Sequence, residues 1–304
     1  MLKQRVITAV ILLVLFLLAL FLLPDYGWAA LVIVMVLQGA SEWSRLARFN
    51  DRTAHIFWWL TLAMMLGLLW FDASQTGQGT MLHVAIYALS AVLWLAIVPT
   101  WLMVGWKIEL PASDTLLAKP ADCGKRQEDG IPAPDASQRR VMPSVLMAAV
   151  GWVVLIPTGL AMMDLRGGHP VWLLGMMGLV WMADISAYFA GRKYGKNKLA
   201  PSISPGKTWE GVAGAMLGVS ALVLVAWFFS GFSYVILPAL LVASWCWVGL
   251  AVFGDLFESA IKRQAGVKDS GALLPGHGGL LDRIDALTST LPIAALAILL
   301  QRLG

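Results

Sequence analysis

Long, continuous apolar runs constrain this chain more than any other feature, because few folds can accommodate them. A membrane-spanning helix needs about 20 apolar residues, and nine runs reach or approach that length. They cover residues 6–23, 26–40, 55–71, 81–104, 142–163, 171–190, 210–230, 233–253 and 284–301. The runs do not alternate apolar with polar residues, which excludes a membrane β-barrel. The sequence therefore predicts an all-α, polytopic integral membrane protein with about nine transmembrane helices.

The basic residues predict how this bundle lies in the membrane. Lys and Arg accumulate in the cytoplasmic segments of membrane proteins. With a cytoplasmic N-terminus, all of the 22 basic residues except Arg166 and Arg302 fall on that side. Nine spans then place the C-terminus outside. We expect the protein to lie in the cytoplasmic (inner) membrane. This distribution also accounts for the net charge of +4, so we expect no nucleic-acid partner.

Polarity divides the chain into three parts. Residues 1–106 form an N-terminal four-helix membrane region with few polar side chains. Its first run is too long for a cleaved signal sequence, and no small-residue cleavage site follows Leu23, so we expect a retained span. Residues 107–140 form a polar cytoplasmic loop. Residues 141–304 form a C-terminal region with five helices, and we expect the chemistry there, on the cytoplasmic face.

Asp184 stands inside the sixth apolar run. An ionisable group at such a position costs roughly 2.5–3.5 kcal/mol on insertion scales. On a helix, Asp184 shares a face with Tyr188 and Gly191. Carboxylates inside spans are usually functional, which favours a metal or substrate site. The alternative is a structural ion pair with a neighbouring helix.

The polar loop that follows contains Gly206, Lys207 and Thr208, which resemble the end of a phosphate-binding P-loop. The full motif needs glycine where Pro201 stands, and we expect no strand before it, so a Walker A site is not predicted. Hydroxyls, a cation and the N–H groups of a helix start still suit an anion. The predicted anion-binding residues are Ser202, Ser204, Lys207 and Thr208. The alternative is that Thr208 only caps the next helix.

Charged residues at helical spacing follow the eighth run. If the helix continues, one of its faces carries a carboxylate, a hydroxyl and two cations. These residues are Asp255, Ser259, Lys262 and Arg263. Glu258 and Lys262, four residues apart, then form a surface ion pair of small energetic value.

A glycine-rich turn and two carboxylates come next. The glycines are Gly276, Gly278 and Gly279. They allow the backbone to present N–H groups to an anion, and His277 between them is suited to orienting a phosphate or acting as an acid. Asp282 and Asp285 face the same side of the following helix. Carboxylates without a His/Cys set suit Mg²⁺, which keeps several waters and binds substrate phosphates.

Together these motifs resemble the signature of the phosphatidate cytidylyltransferases, also called CDP-diacylglycerol synthases. The longest match ends in His-Gly-Gly-x-x-Asp-Arg-x-Asp. Its residues here are Ser259, Lys262, Arg263, Lys268, Asp269, Gly271, Pro275, His277, Gly278, Gly279, Asp282, Arg283 and Asp285. Shorter matches lie upstream, around Asp184, Lys207 and Asp255. The resemblance covers roughly residues 170–300.

The resemblance implies that the chain transfers the cytidylyl group of CTP to phosphatidic acid, giving CDP-diacylglycerol and pyrophosphate. It also implies a Mg²⁺ cofactor, membrane lipid as surroundings and a homodimer. The metal ligands would be Asp255 and Asp282, with Asp285 and Asp184 as further candidates. The catalytic residues would be Asp255, Asp282, Lys207, His277 and Arg283. Substrate would contact Ser202, Ser204, Lys207, Thr208, Ser259, Lys262, Arg263, Lys268, Gly278 and Gly279.

Two other functions compete with this interpretation. A secondary transporter for an anionic solute shares the buried carboxylate and the basic vestibule, although its polar helices would face both sides and here polarity is one-sided. A CDP-alcohol phosphotransferase handles the same headgroups, although we find no Asp-Gly-x-x-Ala-Arg helix motif of its kind.

Overall fold

The computed structural model describes residues 2–74, 78–104, 144–273 and 278–303. Helices α1 to α10 are Leu2–Leu22, Asp25–Leu46, Asp51–Ser74, Gln78–Val92, Val98–Val104, Ser144–Gly168, Pro170–Tyr194, Trp209–Ser230, Leu237–Gln264 and Leu281–Leu303. A π-helical turn, Leu93–Ile97, joins α4 to α5 in one rod. The predicted loop 107–140 and His277 lie outside the described residues.

Within the described ranges, seven helices are long and apolar enough to cross a membrane. They are α3, the rod 81–103, and α6 to α10. These seven helices match the last seven of the nine predicted runs. The first two predicted runs are helical as well, because they correspond to α1 and α2. The apolar stretch of α1, Val10–Leu22, is shorter than those of the seven helices above. The helical, polytopic fold class is therefore confirmed.

Helices α7 and α9 continue past the predicted spans. Helix α7 ends at Tyr194 and α9 at Gln264, whereas the corresponding predicted runs end at residues 190 and 253. The helix continues because the charged side chains after residue 254 find partners one turn away, such as Lys262 with Glu258. The conditional prediction that Asp255 lies in a continuing helix is confirmed.

A short antiparallel hairpin connects α7 to α8. Strand β1, Lys198–Ala200, pairs with β2, Ser204–Thr208. The expectation that no strand precedes Gly206 is wrong, but the Gly-Lys-Thr sequence lies within β2 rather than after a parallel strand, so it forms no Walker A loop. The Thr208 hydroxyl accepts a hydrogen bond from the N–H of Gly211 at 3.1 Å, which caps α8.

Close packing joins α2 of the N-terminal region to α6 of the C-terminal region. Trp43 Nε1 donates to the Met147 carbonyl at 3.0 Å. A Cβ atom at Gly151 would lie 2.5 Å from Trp43 Nε1, and one at Gly159 would lie 2.5 Å from Val36 Cγ2. These glycines let α2 approach α6 closely, and this contact fixes the position of α2 in the bundle.

Glycines also allow close contact between α7 and α8 and between α9 and α10. A Cβ atom at Gly218 of α8 would overlap Ser186 of α7. On α9, a Cβ atom at Gly254 would lie 2.6 Å from both Ser289 Oγ and the Asp285 carbonyl oxygen of α10. The residue after Gly254 is Asp255, so this close approach brings the carboxylates of α9 and α10 together.

The two ends of α2 lie in different charged clusters. At its start, Asp25 Oδ1 accepts a hydrogen bond from Arg166 Nη1 at 2.6 Å. The neighbouring His83 ring on α4 lies 3.1 Å from Asp72 and 2.8 Å from Asp164. At its other end, α2 contacts the start of α10, as described below. The bundle therefore has polar groups at both ends and an apolar middle.

Candidate active site

A cavity of about 410 Å³ opens between α7, α8, α9 and the hairpin. Small and apolar side chains form most of its wall. The charged groups in the wall are Asp184, Arg192, Lys207 and Asp255. Tyr188 and Gly191 line the cavity beside Asp184, which confirms the predicted shared face. The cavity wall therefore combines apolar and charged side chains.

Lys207 sits among the aspartates of this cavity. Its Nζ forms an ion pair with the Asp255 carboxylate, and Ser259 Oγ donates to Asp255 Oδ1 at 3.2 Å. Asp184 interacts electrostatically with both Asp255 and Lys207. A single ammonium group from the hairpin thus lies near carboxylates from two helices, and it can neutralise only one of them.

Asp285 of α10 adds a third carboxylate to this region. It interacts electrostatically with Asp255, Glu258 and Lys207. Its Oδ1 accepts a hydrogen bond from the N–H of Ala286 at 2.8 Å. Three helices therefore each contribute one aspartate to the same charged region.

Lys262 bridges two further carboxylates. Its Nζ lies 2.6 Å from Glu258 Oε2 and 2.6 Å from Asp282 Oδ1. The side chains of Lys262, Glu258 and Asp282 are only 13%, 7% and 9% exposed. The predicted Glu258–Lys262 pair is confirmed, but its surface location is wrong, because α10 and the preceding loop cover it. The second oxygen of Glu258, Oε1, is buried without a hydrogen-bond partner.

Both oxygens of Asp282 contact the protein. Oδ1 contacts Lys262, while Oδ2 accepts hydrogen bonds from the N–H groups of Ser270 at 2.9 Å and Gly279 at 2.8 Å. The Gly279 N–H, predicted to bind substrate, donates to Asp282 in this structure. Gly278 has φ 81°, a left-handed conformation that favours glycine.

Glu42 of α2 was missed by the sequence analysis. It is completely buried, and it accepts hydrogen bonds from the N–H groups of Leu280 and Leu281, both at 2.9 Å, and from Ser270 Oγ at 2.8 Å. An ionisable residue inside an apolar helix is the signal that identified Asp184. The same signal was overlooked here because the predicted run ended at residue 40, and the partners are 228 to 239 residues away.

The remaining predicted residues surround the cavity rather than line its wall. Arg263 Nε donates to the Ile203 carbonyl at 3.3 Å, which ties α9 to the turn of the hairpin. Ser202 lies exposed in the hairpin turn, and Lys268 lies exposed in the loop after α9. Ser204 begins β2, and Arg283 lies exposed in the first turn of α10.

The donor groups suit Mg²⁺ in their chemistry. Within the described residues, no group of three or more Asp, Glu, His or Cys side chains is arranged to hold a metal ion. Mg²⁺ needs fewer protein ligands, since it binds through one or two carboxylates and completes its shell with water and substrate phosphates. The network contains six carboxylates and two lysines. They are Asp184, Asp255, Asp285, Glu258, Asp282, Glu42, Lys207 and Lys262. This excess of negative charge fits a bound cation.

Comparison with known proteins identifies the family. Residues 3–301 match the sequence model of the Cytidylyltransferase family. The chain belongs to this family. A phosphatidate cytidylyltransferase of Pseudomonas aeruginosa is 37% identical over 295 residues, covering 97% of this chain and 96% of the relative. One of Haemophilus influenzae is 33% identical over 306 residues, covering 96% of each.

Other cytidylyltransferases match the chain over a shorter stretch. A phosphatidate cytidylyltransferase of Brucella abortus is 43% identical over 149 residues, which is 47% of this chain and 51% of the relative. The family predicted from the signature residues is therefore confirmed. A family match along nearly the whole chain also decides against the transporter and CDP-alcohol phosphotransferase alternatives.

Proposed function

We propose that this cytidylyltransferase transfers the cytidylyl group of CTP to phosphatidic acid, giving CDP-diacylglycerol and pyrophosphate. One observation carries the proposal: a cavity whose wall combines apolar side chains with aspartates, a lysine and an arginine opens among helices that are apolar enough to span a membrane. Such a cavity suits a substrate with acyl chains and a charged headgroup. Two relatives that match this chain over 96% or more of its length are named phosphatidate cytidylyltransferases.

The reaction joins two anions, and this is its main difficulty. A phosphate oxygen of phosphatidic acid attacks the α-phosphorus of CTP, and the bond from that phosphorus to the bridging oxygen of the β-phosphate breaks, so pyrophosphate leaves. The attacking oxygen is already negatively charged and needs no strong base. The protein must instead hold both phosphates in line and stabilise the charge on the leaving group. Lys207 in the cavity wall is placed for this task, and Asp255 orients its ammonium group.

Mg²⁺ is the proposed cofactor, and it would be held by Asp255 and Asp184, which line the cavity, with Asp255 exchanging its contact with Lys207 for the ion. When bound, a divalent cation supplies charge neutralisation at phosphate oxygens. Asp282, the other ligand that the family resemblance implies, would have to exchange its contact with Lys262 for the ion. We therefore assign Asp282 first to the orientation of Lys262 and the loop after α9.

We also propose nine spans, with α1 and α2 as the first two, a cytoplasmic N-terminus and an external C-terminus. The distribution of Lys and Arg supports this orientation and places the cavity on the cytoplasmic side of the inner membrane. A homodimer and the division into regions 1–106, 107–140 and 141–304 are proposed on the resemblance and on polarity alone.

An assay with purified protein tests the function. We expect that CTP labelled in cytosine, supplied with phosphatidic acid and Mg²⁺, gives a lipid-soluble labelled product together with an equal amount of pyrophosphate. Omission of Mg²⁺, replacement of phosphatidic acid by diacylglycerol, or the Asp255→Asn substitution should each abolish the product. If the folded wild-type protein leaves all label in the aqueous phase, the proposal is wrong.

A further inference from the structure

We propose that Glu42 is a positioning residue for nucleotide binding, through which the N-terminal region takes part in the active site. Its carboxylate holds the loop between α9 and α10 in place. The inference rests on the proposed function and on the family resemblance, which implies that Lys268 and Gly278 of this loop contact substrate.

Glu42 caps α10 from another helix. The first N–H groups of a helix have no partner within the helix, and a negative charge beside them is favourable. Helix α10 begins at Leu281, and Glu42 Oε2 and Oε1 accept the N–H groups of Leu281 and Leu280. A carboxylate that is far away in sequence thus does what a local Ser or Asp usually does.

Glu42 also fixes the other end of the same loop. Ser270 Oγ lies 2.8 Å from Glu42 Oε2 and 3.1 Å from Asp282 Oδ2. A hydroxyl group has one proton, so it donates to one of these carboxylates at a time. The Ser270 N–H donates to Asp282, which contacts Lys262 in turn. Glu42 and Asp282 therefore hold both ends of the loop and connect it to the lysine network.

Two glycines of the signature are explained by Glu42. A Cβ atom at Gly271 would lie 2.8 Å from Glu42 Oε1, and one at Gly279 would overlap both Ser270 Oγ and Glu42 Oε2. At Gly271 the nearest atom is that of Glu42, whereas at Gly279 Ser270 Oγ and the Gly271 backbone nitrogen also exclude a side chain. The loop is thus built around this carboxylate, in addition to any need for backbone flexibility.

Glu42 is buried among polar donors, and the Arg45 guanidinium lies nearby, because both groups would meet a Cβ atom at Gly271. The four hydrogen-bond donors described for Glu42 are all uncharged: Gln38 Nε2, Ser270 Oγ and the N–H groups of Leu280 and Leu281. Burial of a carboxylate is costly, and an apolar replacement of a buried polar network is often neutral or stabilising. Ser270 and Leu280 belong to the loop and Leu281 begins α10, and the need to hold these three groups together explains the carboxylate.

The test compares Glu42→Gln with wild type in purified protein. Glutamine has the same shape but places an NH₂ group against N–H and O–H donors, so the loop loses one of its anchors. We expect the KM for CTP to rise by about tenfold or more, while the KM for phosphatidic acid changes by less than about twofold. A general folding defect would lower the apparent kcat and leave both KM values unchanged.

Ser44→Ala is the matched control, and it should change neither KM. Ser44 is also buried on α2, but the hydrogen bond described for its hydroxyl goes to Ala40 of its own helix.

Two further variants separate the possible failures. Ser270→Ala removes one loop-side partner of Glu42 and should raise the KM for CTP by about threefold, which keeps the inference testable if Glu42→Gln does not fold. Lys268→Ala, in the exposed part of the loop, tests whether the loop contacts CTP. If Lys268→Ala raises this KM and folded Glu42→Gln or Ser270→Ala does not, the inference fails and the proposed function stands. If none of the three changes it, the loop does not bind CTP, and both the inference and that part of the site assignment fail.

Discussion

Single side chains in this active site have distinct electrostatic tasks. Asp255 pairs with the hairpin through Lys207, Asp282 pairs with Lys262, and Glu42 binds backbone N–H groups. None of these three contacts was predicted; the pair that was predicted, Glu258 with Lys262, lies within one helix, where spacing is visible in the sequence. The others join residues from different helices, and their pairing depends on how the bundle packs.

Lys207→Met should remove one of the two cations in the cavity wall, the other being Arg192. We expect kcat to fall by about 100-fold or more, the usual effect of removing one group that stabilises transition-state charge. Lys198→Met is the matched control, since Lys198 is an exposed residue of the adjoining strand. Steady-state kinetics on folded protein provide the measurement. Activity within about threefold of wild type would remove Lys207 from the reaction.

Lys262→Met should destabilise the protein. Loss of one partner from a buried charge pair costs about 3–5 kcal/mol, and here two buried carboxylates would lose their cation. The double variant Glu258→Gln with Lys262→Met should be more stable than Lys262→Met alone, because only Asp282 then remains unpaired. Denaturation in detergent, followed by circular dichroism, measures both. A loss below about 1 kcal/mol for the single variant would show that water or protons compensate the charges.

At the level of helices and strands, the sequence predicted which segments are helical better than where they end. Helix α9 continues to Gln264 because its charged residues pair within the helix, whereas hydropathy alone ends the span near residue 253. The hairpin was not predicted, since Ser204–Thr208 contains Pro and Gly and lacks an apolar alternation. It forms between two helices that glycines bring into contact. Glycine spacing was therefore the signal that the sequence analysis did not use.

Gly218→Val should separate α7 from α8. A side chain at Gly218 overlaps Ser186, and overpacking of this kind typically costs about 1–3 kcal/mol. The hairpin that carries Lys207 lies between these helices, so we expect activity to fall together with the melting temperature. Gly178→Ala on α7 is the control, because a Cβ atom there meets nothing within 4 Å. Equal melting temperatures for Gly218→Val and wild type would contradict the described packing.

At the level of the whole molecule, the N-terminal and C-terminal regions form one bundle. Buried residues of α2, α6, α9 and α10 belong to the same hydrophobic core. The sequence analysis treated the first four spans as remote from the chemistry, because their charged residues are few. Glu42 joins α2 to the start of α10, in the region that carries the candidate site. The proposed orientation in the membrane, in contrast, rests on charge counts alone.

Cysteine labelling tests this orientation. The background variant has Cys123 and Cys246 replaced by Ser. In it, Gly167→Cys at the end of α6 should react with a membrane-impermeant maleimide, added to cells whose inner membrane is intact and whose outer membrane does not block the reagent. Lys198→Cys in the hairpin should react only after the membrane is permeabilised. Both positions are exposed, so access depends on the side of the membrane. The opposite pattern would invert the proposed topology.

The central claim is that CTP is activated in the cavity between α7, α8, α9 and the hairpin. The most direct measurement is an experimental structure of the protein in lipid with Mg²⁺ and a CTP analogue whose α–β bridge cannot be cleaved. We predict triphosphate density within contact distance of Lys207, with the cation between the nucleotide and Asp255. Nucleotide bound elsewhere, with Lys207 and Asp255 still paired and the cavity filled by lipid or empty, would contradict the account.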